Sequence, residues 1–147
     1  MAEYVDEGVF PLPRDKLWAF LDEHWDPALI GQIHQDIVGQ KLLSRSENGA
    51  VLERTIRFRG KDLRSVWTVT WQRPDRIRWD ISESVGPMAS GSYLENTYAD
   101  APGGTFVRSH GEITVTGFPK FLMRRIVRTA MGSIDRQDRE YLGKTGR

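Results

Sequence analysis

The sequence predicts an α+β domain in which a strongly curved antiparallel sheet of about seven strands packs against a long C-terminal helix. Three patterns support this fold class. Residues 4–10 form one strand that is followed by two short helical patterns, residues 40–115 alternate with a period of two between frequent turn signals, and residues 118–142 form one long amphipathic stretch. The 147 residues suit a single domain that spans the whole chain, residues 1–147.

The N-terminal segment predicts one strand and two short helices. Prolines at positions 11 and 13 end the strand, and apolar side chains recur at helical spacing from residue 14 to about residue 25. Asp26-Pro27 then has the form of an N-cap with proline at the first helical position. We therefore expect a second short helix, with an apolar stripe that runs to Ile37 and an end at Gly39.

The middle of the chain predicts a meander of antiparallel strands. Asn48-Gly49 is the sharpest hairpin signal, and Gly60-Lys61, Pro74-Asp75 and the segment 101–104 mark further turns. The six strands predicted after the first one are residues 40–47, 51–59, 63–71, 77–83, 91–99 and 105–116.

Alternation along these strands separates an inner face from an outer face, because side chains two residues apart point to the same side of a sheet. Three tryptophans and most of the aliphatic residues share one face, which we take as the interior. A four-residue loop in the last hairpin would pair Tyr98 with Val107, Asn96 with Ser109 and, on the outer face, Glu95 with His110.

Polar residues on this inner face predict a ligand site. An unpaired buried polar group costs about 1–3 kcal/mol, and an apolar concavity with a few convergent polar groups is typical of a small-molecule pocket. We expect a pocket of roughly a few hundred Å³ between the long helix and the sheet. The candidate ligand-binding residues are Arg54, Ile56, Trp67, Val69, Trp79, Ile81, Glu83, Asn96, Tyr98, His34, Ile126, Ala130 and Ser133.

Two of these candidates have alternative interpretations. Arg54 either binds a carboxylate, phenolate or enolate of a ligand or forms a structural ion pair with Glu83. His34 either lies at the mouth of the cavity as a base or hydrogen-bond donor or is a partly buried histidine satisfied by its neighbours.

Composition excludes several classes of function. The chain has no cysteine and three histidines, so no metal site and no cofactor is predicted. It lacks the phosphate-loop, dinucleotide-binding and nucleophile-elbow motifs. Nucleic-acid binding is not expected, because the exposed arginines lack interleaved aromatic residues. No apolar run approaches the length of a membrane span, and the acidic N-terminus favours a cytoplasmic location.

The last thirty residues, 118–147, contain eight basic and three acidic groups. Lys120, Arg124 and Arg128 follow one another at helical spacing and predict a basic stripe on the long helix. This stripe suits a transient contact with an anionic membrane or an acidic protein, or else is a solvated face that pairs with the acidic first helices. The sequence is compatible with a monomer or a homodimer.

Three segments resemble the START-related (SRPBCC, helix-grip) superfamily, and most closely its polyketide cyclase/dehydrase and lipid-transport branch. They are Phe-Pro-Leu-Pro-Arg-Asp-Lys-Leu-Trp at 10–18, Trp-Gln-Arg-Pro-Asp-Arg-Ile-Arg-Trp at 71–79 and Gly-Gly-Thr-Phe-Val at 103–107. The turn at 59–62 is shorter than the gating loop of the plant hormone receptors in this superfamily. The resemblance implies a helix-grip fold with a cavity. The short turn at 59–62 disfavours a receptor function.

Three functions are compatible with this resemblance. The first is binding or transport of a hydrophobic small molecule, such as a lipid, quinone, aromatic or polyketide-like compound. The second is a polyketide or aromatic cyclase or dehydratase that uses the same cavity, with Arg54 stabilising an enolate and His34 or Glu83 moving protons. The third is a protein-interaction module, which would need no cavity.

Overall fold

The computed structural model describes residues 2–84 and 88–147, and its element order is the predicted one. The strands and helices are β1 (Ala2–Phe10), α1 (Arg14–Glu23), α2 (Ile30–Ile33), β2 (Ile37–Ser46), β3 (Gly49–Phe58), β4 (Lys61–Gln72), β5 (Arg76–Ser84), β6 (Tyr93–Ala101), β7 (Gly104–Ile113) and α3 (Lys120–Lys144).

The seven strands form one antiparallel sheet in the order β1-β7-β6-β5-β4-β3-β2. Six of them follow each other as hairpins, and β1 closes the far side by pairing with β7 along its full length. The α+β fold class with a curved seven-stranded sheet, two short helices and a long terminal helix is confirmed. The predicted pairing of the last hairpin is also confirmed, with Tyr98 opposite Val107 and Asn96 opposite Ser109.

The second helix is shorter than the sequence predicts. It is a single turn, and the backbone at its C-cap, His34, is already extended with φ −118° and ψ 105°. Ile37 belongs to β2, where it pairs with Ile56 and is buried. The helical period predicted for this apolar stripe is therefore wrong at its last member, which faces the interior from a strand rather than from a helix.

Three β-bulges change which side chains face inward. In β2 the extra residues are Val38 and Leu43, since each lies between two consecutive pairs with β3. In β5 the extra residue is Ser82, because Ile81 pairs with Trp67 while Glu83 pairs with Val66. One extra residue reverses the alternation beyond it, so the inward positions after each bulge differ from those predicted for a regular strand.

Two apolar clusters hold the layers together. The α1 cluster joins α1 to the sheet and to the end of α3, and includes the buried residues Trp18, Phe20, Leu52, Trp71 and Leu142. The α3 cluster joins the first half of α3 to β1 and β7, and includes Ala2, Ile113, Val115, Met123 and Val127. Full burial of one large apolar side chain stabilises the fold by about 1.5–3 kcal/mol, so these clusters fix both ends of α3 on the inner face of the sheet.

Candidate functional site

Arg54 lies inside the fold, as the alternation of β3 predicts. Its side chain is buried, and its guanidinium carbon lies 5.5 Å from the centroid of the Trp67 ring. Burial alone lowers the pKa of Arg54 from 12.5 to about 10, because removal from water disfavours the charged form. No charged group among the described residues offsets this effect, so a buried cation lies beside an aromatic ring without a counter-ion.

Gln40 holds Arg54 in place, and the sequence interpretation did not include it. Its amide oxygen accepts a 2.7 Å hydrogen bond from Nε of Arg54, while its amide nitrogen donates to the carbonyl of His24 at 2.9 Å. The bulge at Val38 turns Gln40 inward, opposite Arg54. Gly39 beside the bulge is the only local signal in the sequence, because glycine in a strand often marks a bulge.

Glu83 does not pair with Arg54, and this correction follows from the bulge in β5. Beyond Ser82 the alternation reverses, and Glu83 is exposed opposite Val66. Its charge contributes instead to raising the pKa of Arg64. The alternative of a structural ion pair between Arg54 and Glu83 is therefore wrong, and Glu83 does not face the interior.

The apolar candidates on the sheet are buried to different extents. Trp67 and Trp79 pack against the α1 cluster and are partly buried, whereas Val69 is fully buried within that cluster. Ile81 is buried, and Ile56 is half-buried. The two tryptophans therefore retain accessible aromatic surface on the inner face.

Asn96 and Tyr98 form a second polar group on the inner face. The amide nitrogen of Asn96 lies 3.5 Å from the Tyr98 hydroxyl, while its amide oxygen is buried and has no hydrogen-bond partner among the described residues. Burial raises the pKa of Tyr98, so its hydroxyl stays protonated at neutral pH. An unpaired buried oxygen carries a free-energy cost, which a ligand donor would remove.

The three candidate ligand-binding residues on α3 lie in different environments. Ile126 packs against the α3 cluster, Ser133 accepts a 3.1 Å hydrogen bond from Gln137, and Ala130 is exposed. The prediction that Ala130 lines the interior is therefore wrong. Ile134, about one turn further along the helix, is 38% exposed, so the middle of α3 buries less surface than either end.

Two open grooves in the described part of the chain are large enough for a small molecule, and neither is lined by Trp67 or Trp79. One of about 590 Å³ lies on the outer face and is lined by Asn48, Thr70, Trp71, Gln72, Arg76, Arg78 and Glu95. The other, of about 370 Å³, lies where the start of β2 meets α3 and is lined by Gln35, Asp36, Ser133, Arg136, Gln137 and Glu140. The interior pocket lined by Trp67, Trp79 and Ile81 stays a prediction.

His34 belongs to a buried cluster with His24 and Asp138. Its Nε2 lies 2.8 Å from Oδ1 of Asp138, and Nε2 of His24 lies 3.1 Å from the same oxygen. Burial acts to raise the pKa of Asp138, but the hydrogen bonds from both histidines outweigh it and lower that pKa to about 2. His34 is thus a partly buried histidine with a partner, as one of the two interpretations predicted.

Comparison with known proteins fits this architecture. Residues 1–139 match the family profile described as polyketide cyclase/dehydrase and lipid transport. The chain belongs to this family. No curated protein matches the sequence significantly.

Solved structures show how widely the fold of this family member is shared. The crystal structure of Ara h 8.0201 superposes with a TM-score of 0.73 at 14% identity, over 97% of this chain and 98% of the other. A START superfamily protein from Mycobacterium smegmatis superposes with a TM-score of 0.73 at 10% identity, over 92% of each chain. The Zhui aromatase/cyclase from Streptomyces sp. R1128 superposes with a TM-score of 0.72 at 11% identity, over 99% of this chain and 94% of the other. At such identities the likeness establishes the fold alone.

The basic stripe of this family member lies on an open surface. Lys120, Arg124 and Arg128 are exposed on α3, and Phe121 between them is 83% exposed. None of these three cations forms an ion pair with a described carboxylate, so the predicted pairing with the acidic first helices is not observed. A contact with an anionic membrane or an acidic protein stays a prediction. Among the described residues, no helix is long and apolar enough to cross a membrane.

Proposed function

We propose that this protein binds a hydrophobic small molecule that carries an anionic group, with the anion against Arg54 and the apolar part along Trp67 and Trp79. The observation that carries the proposal is the buried guanidinium, for which the described part of the chain supplies no counter-ion. A buried charge is costly unless it is paired, and a ligand carboxylate, phenolate or enolate would supply the missing charge.

The surroundings of Arg54 support an anion rather than a neutral ligand. Gln40 fixes Nε, and this leaves the two terminal nitrogens, for which no described residue supplies an acceptor. These nitrogens form the fork that binds a carboxylate with two parallel hydrogen bonds. The partly buried rings of Trp67 and Trp79 provide apolar surface on the same face of the sheet.

The test compares hydrophobic acids with their neutral derivatives. Fatty acids, aromatic carboxylic acids and phenols are added to the protein, each beside its methyl ester or ether, and the melting temperature and dissociation constant are measured. Because a charged hydrogen bond contributes about 1.5–3 kcal/mol, we expect each acid to bind roughly 10- to 150-fold more tightly than its ester.

Two variants make this comparison specific. Arg54→Met should remove the preference for the acid, whereas Arg57→Met, which removes an exposed arginine of the same strand that pairs with Asp62, should preserve it. Equal binding of acids and esters by the unaltered protein, or no binding of any member of the panel, would refute the proposal. Native mass spectrometry of freshly purified protein would show directly whether an acidic apolar molecule accompanies the chain.

A cyclase or dehydratase is the second candidate, and Asn96 with Tyr98 favours it. A neutral tyrosine hydroxyl beside a buried amide oxygen that has no partner among the described residues is able to orient a ligand carbonyl and hydroxyl. The Zhui aromatase/cyclase and the di-domain ARO/CYC protein BexL share this fold. Chromatography coupled to mass spectrometry distinguishes the two functions after a candidate compound is added. A carrier returns the compound unchanged, a dehydratase returns it without one water, and a cyclase returns an isomer of equal mass with a different retention time.

A further inference from the structure

The buried cluster of His24, His34 and Asp138 takes no part in the function proposed above. These residues come from three helical elements, because His24 caps α1, His34 caps α2 and Asp138 lies in the last third of α3. One ring nitrogen from each histidine and a carboxylate oxygen all lie within 4.8 Å of one another. The side chains are 8%, 12% and 19% exposed, so the cluster is largely shielded from water.

Hydrogen bonding fixes the tautomer of His24. Its Nδ1 lies 3.0 Å from the carbonyl oxygen of Phe20, and this oxygen accepts but does not donate. Nδ1 therefore carries a proton, and in a neutral imidazole Nε2 then presents a lone pair. That lone pair lies 3.1 Å from Oδ1 of Asp138, which is also an acceptor. Two acceptors at this distance require a positive charge between them, either a proton or a metal cation.

The same arrangement is the one that metal-binding histidines adopt. A ligating imidazole almost always donates its other N–H to a backbone carbonyl or a carboxylate, which orients the ring and directs the free nitrogen at the metal. Phe20 supplies this carbonyl to His24. Two imidazole nitrogens and one carboxylate oxygen form a donor set that suits zinc or iron(II), with coordination positions left for water or another ligand.

The local charge also favours a cation. Asp138 supplies a carboxylate, and none of the described lysines and arginines forms an ion pair with it. The groove of about 370 Å³ is lined by Gln35 and Gln137, which are the chain neighbours of His34 and Asp138.

We propose that His24 Nε2, His34 Nε2 and the Asp138 carboxylate bind one divalent transition-metal cation of the zinc and iron(II) class. Zinc bonds of about 2.0–2.2 Å in a tetrahedral site place the donor atoms about 3.3 Å apart. The 2.8 and 3.1 Å separations at Asp138 would each lengthen by a few tenths of an ångström. The two histidine nitrogens, which lie within 4.8 Å of each other, would have to come to the same 3.3 Å separation. The bound cation would join α1, α2 and α3 through one shared ligand set.

The experiment uses the untagged chain after treatment with a chelator, with zinc as the probe. The third histidine provides a matched control, because His110 is exposed on β7 and lies opposite Glu95, away from the cluster. Zinc affinity is measured by competition with a chromophoric chelator for the unaltered protein, His34→Gln, Asp138→Asn and His110→Gln. We expect one zinc ion per chain in the unaltered protein and in His110→Gln.

Loss of a ligand should weaken binding more than loss of an outer contact, which costs roughly 10- to 100-fold, so we expect at least a 100-fold loss in His34→Gln and Asp138→Asn. If Asp138→Asn does not fold, two measurements on the unaltered protein decide the question. Cobalt(II) should give the intense visible bands of a low-coordinate site, and zinc should shift the Nε2 resonances of His24 and His34 in nitrogen NMR spectra. Weak, non-stoichiometric zinc binding, equal affinity in all four proteins, or unchanged Nε2 resonances would overturn the proposal and leave a shared proton as the bridging charge.

Discussion

Replacement of Arg54 by methionine should not weaken the fold of the ligand-free protein. The depressed pKa of Arg54, about 10 instead of 12.5, corresponds to an unfavourable free energy on the order of 3 kcal/mol for the buried cation. Against this, removal of the side chain leaves the Gln40 amide oxygen without its donor, at a cost of about 1–3 kcal/mol. The unfolding free energy of Arg54→Met should therefore equal that of the unaltered protein or exceed it by up to about 2 kcal/mol.

The sign of the pH dependence follows from the same shift. Because the folded pKa lies below the unfolded one, the penalty is fully present below about pH 10 and is relieved only as the pH rises from there towards 12.5. Urea unfolding at pH 7 thus measures the whole effect, with Arg57→Met as the surface control. A loss of more than about 2 kcal/mol in Arg54→Met would refute the reasoning, because it would show that the guanidinium stabilises the empty fold.

Gln40→Glu tests the same site by adding a negative charge beside Arg54 instead of removing the positive one. The change places a carboxylate where the amide oxygen now lies, 2.7 Å from Nε of Arg54. The site then becomes electroneutral, and we expect the preference for hydrophobic acids over their esters to disappear while the fold remains intact. An acid preference that survives in Gln40→Glu would mean that the ligand anion binds elsewhere.

The remaining predictions concern packing. Gly104→Ala should destabilise the protein by more than about 1 kcal/mol, because φ is +152° and a Cβ atom would collide with the carbonyl oxygen of Phe10. Gly132→Ala is the contrasting change: nothing lies within 4 Å of its Cβ position in α3, so we expect a gain of about 0.5–1 kcal/mol. Thr105→Val should cost about 1 kcal/mol, since the fully buried hydroxyl donates a 2.7 Å hydrogen bond to the Leu12 carbonyl. Urea denaturation measures all three, and stabilisation by Gly104→Ala, destabilisation by Gly132→Ala or stabilisation by Thr105→Val would contradict the respective prediction.

Local alternation in the sequence was sufficient to predict which side chains face inward in the regular parts of the sheet. Arg54 and Trp67 share the inner face as predicted, because β3 and β4 pair without interruption from Gly49 to Phe58. The last hairpin has the predicted register because Pro102 and Gly103 fix a short turn. A strand of regular period and a turn of known length leave little freedom in which residues oppose each other.

The irregular strands and the contacts between distant residues could not be predicted from local alternation. A bulge depends on how two strands twist together, so neither the inward turn of Gln40 nor the outward turn of Glu83 follows from its own strand. His24 and Asp138 are separated by 114 residues, and only their packing brings them together. One signal was present: Asp138 lies four residues after Ile134 and three before Tyr141, which places a carboxylate on the apolar stripe of α3.

The bulges of β2 also bear on how the protein behaves among its own copies. This strand lies at one edge of the sheet, and its two extra residues, Val38 and Leu43, are exposed apolar side chains. A flat apolar edge attracts a second strand, because its N–H and C=O groups form an evenly spaced row. Here that row is interrupted twice within ten residues, at the very positions where apolar side chains face water. The same irregularity that turns Gln40 toward Arg54 therefore makes the exposed edge a poor template for aggregation.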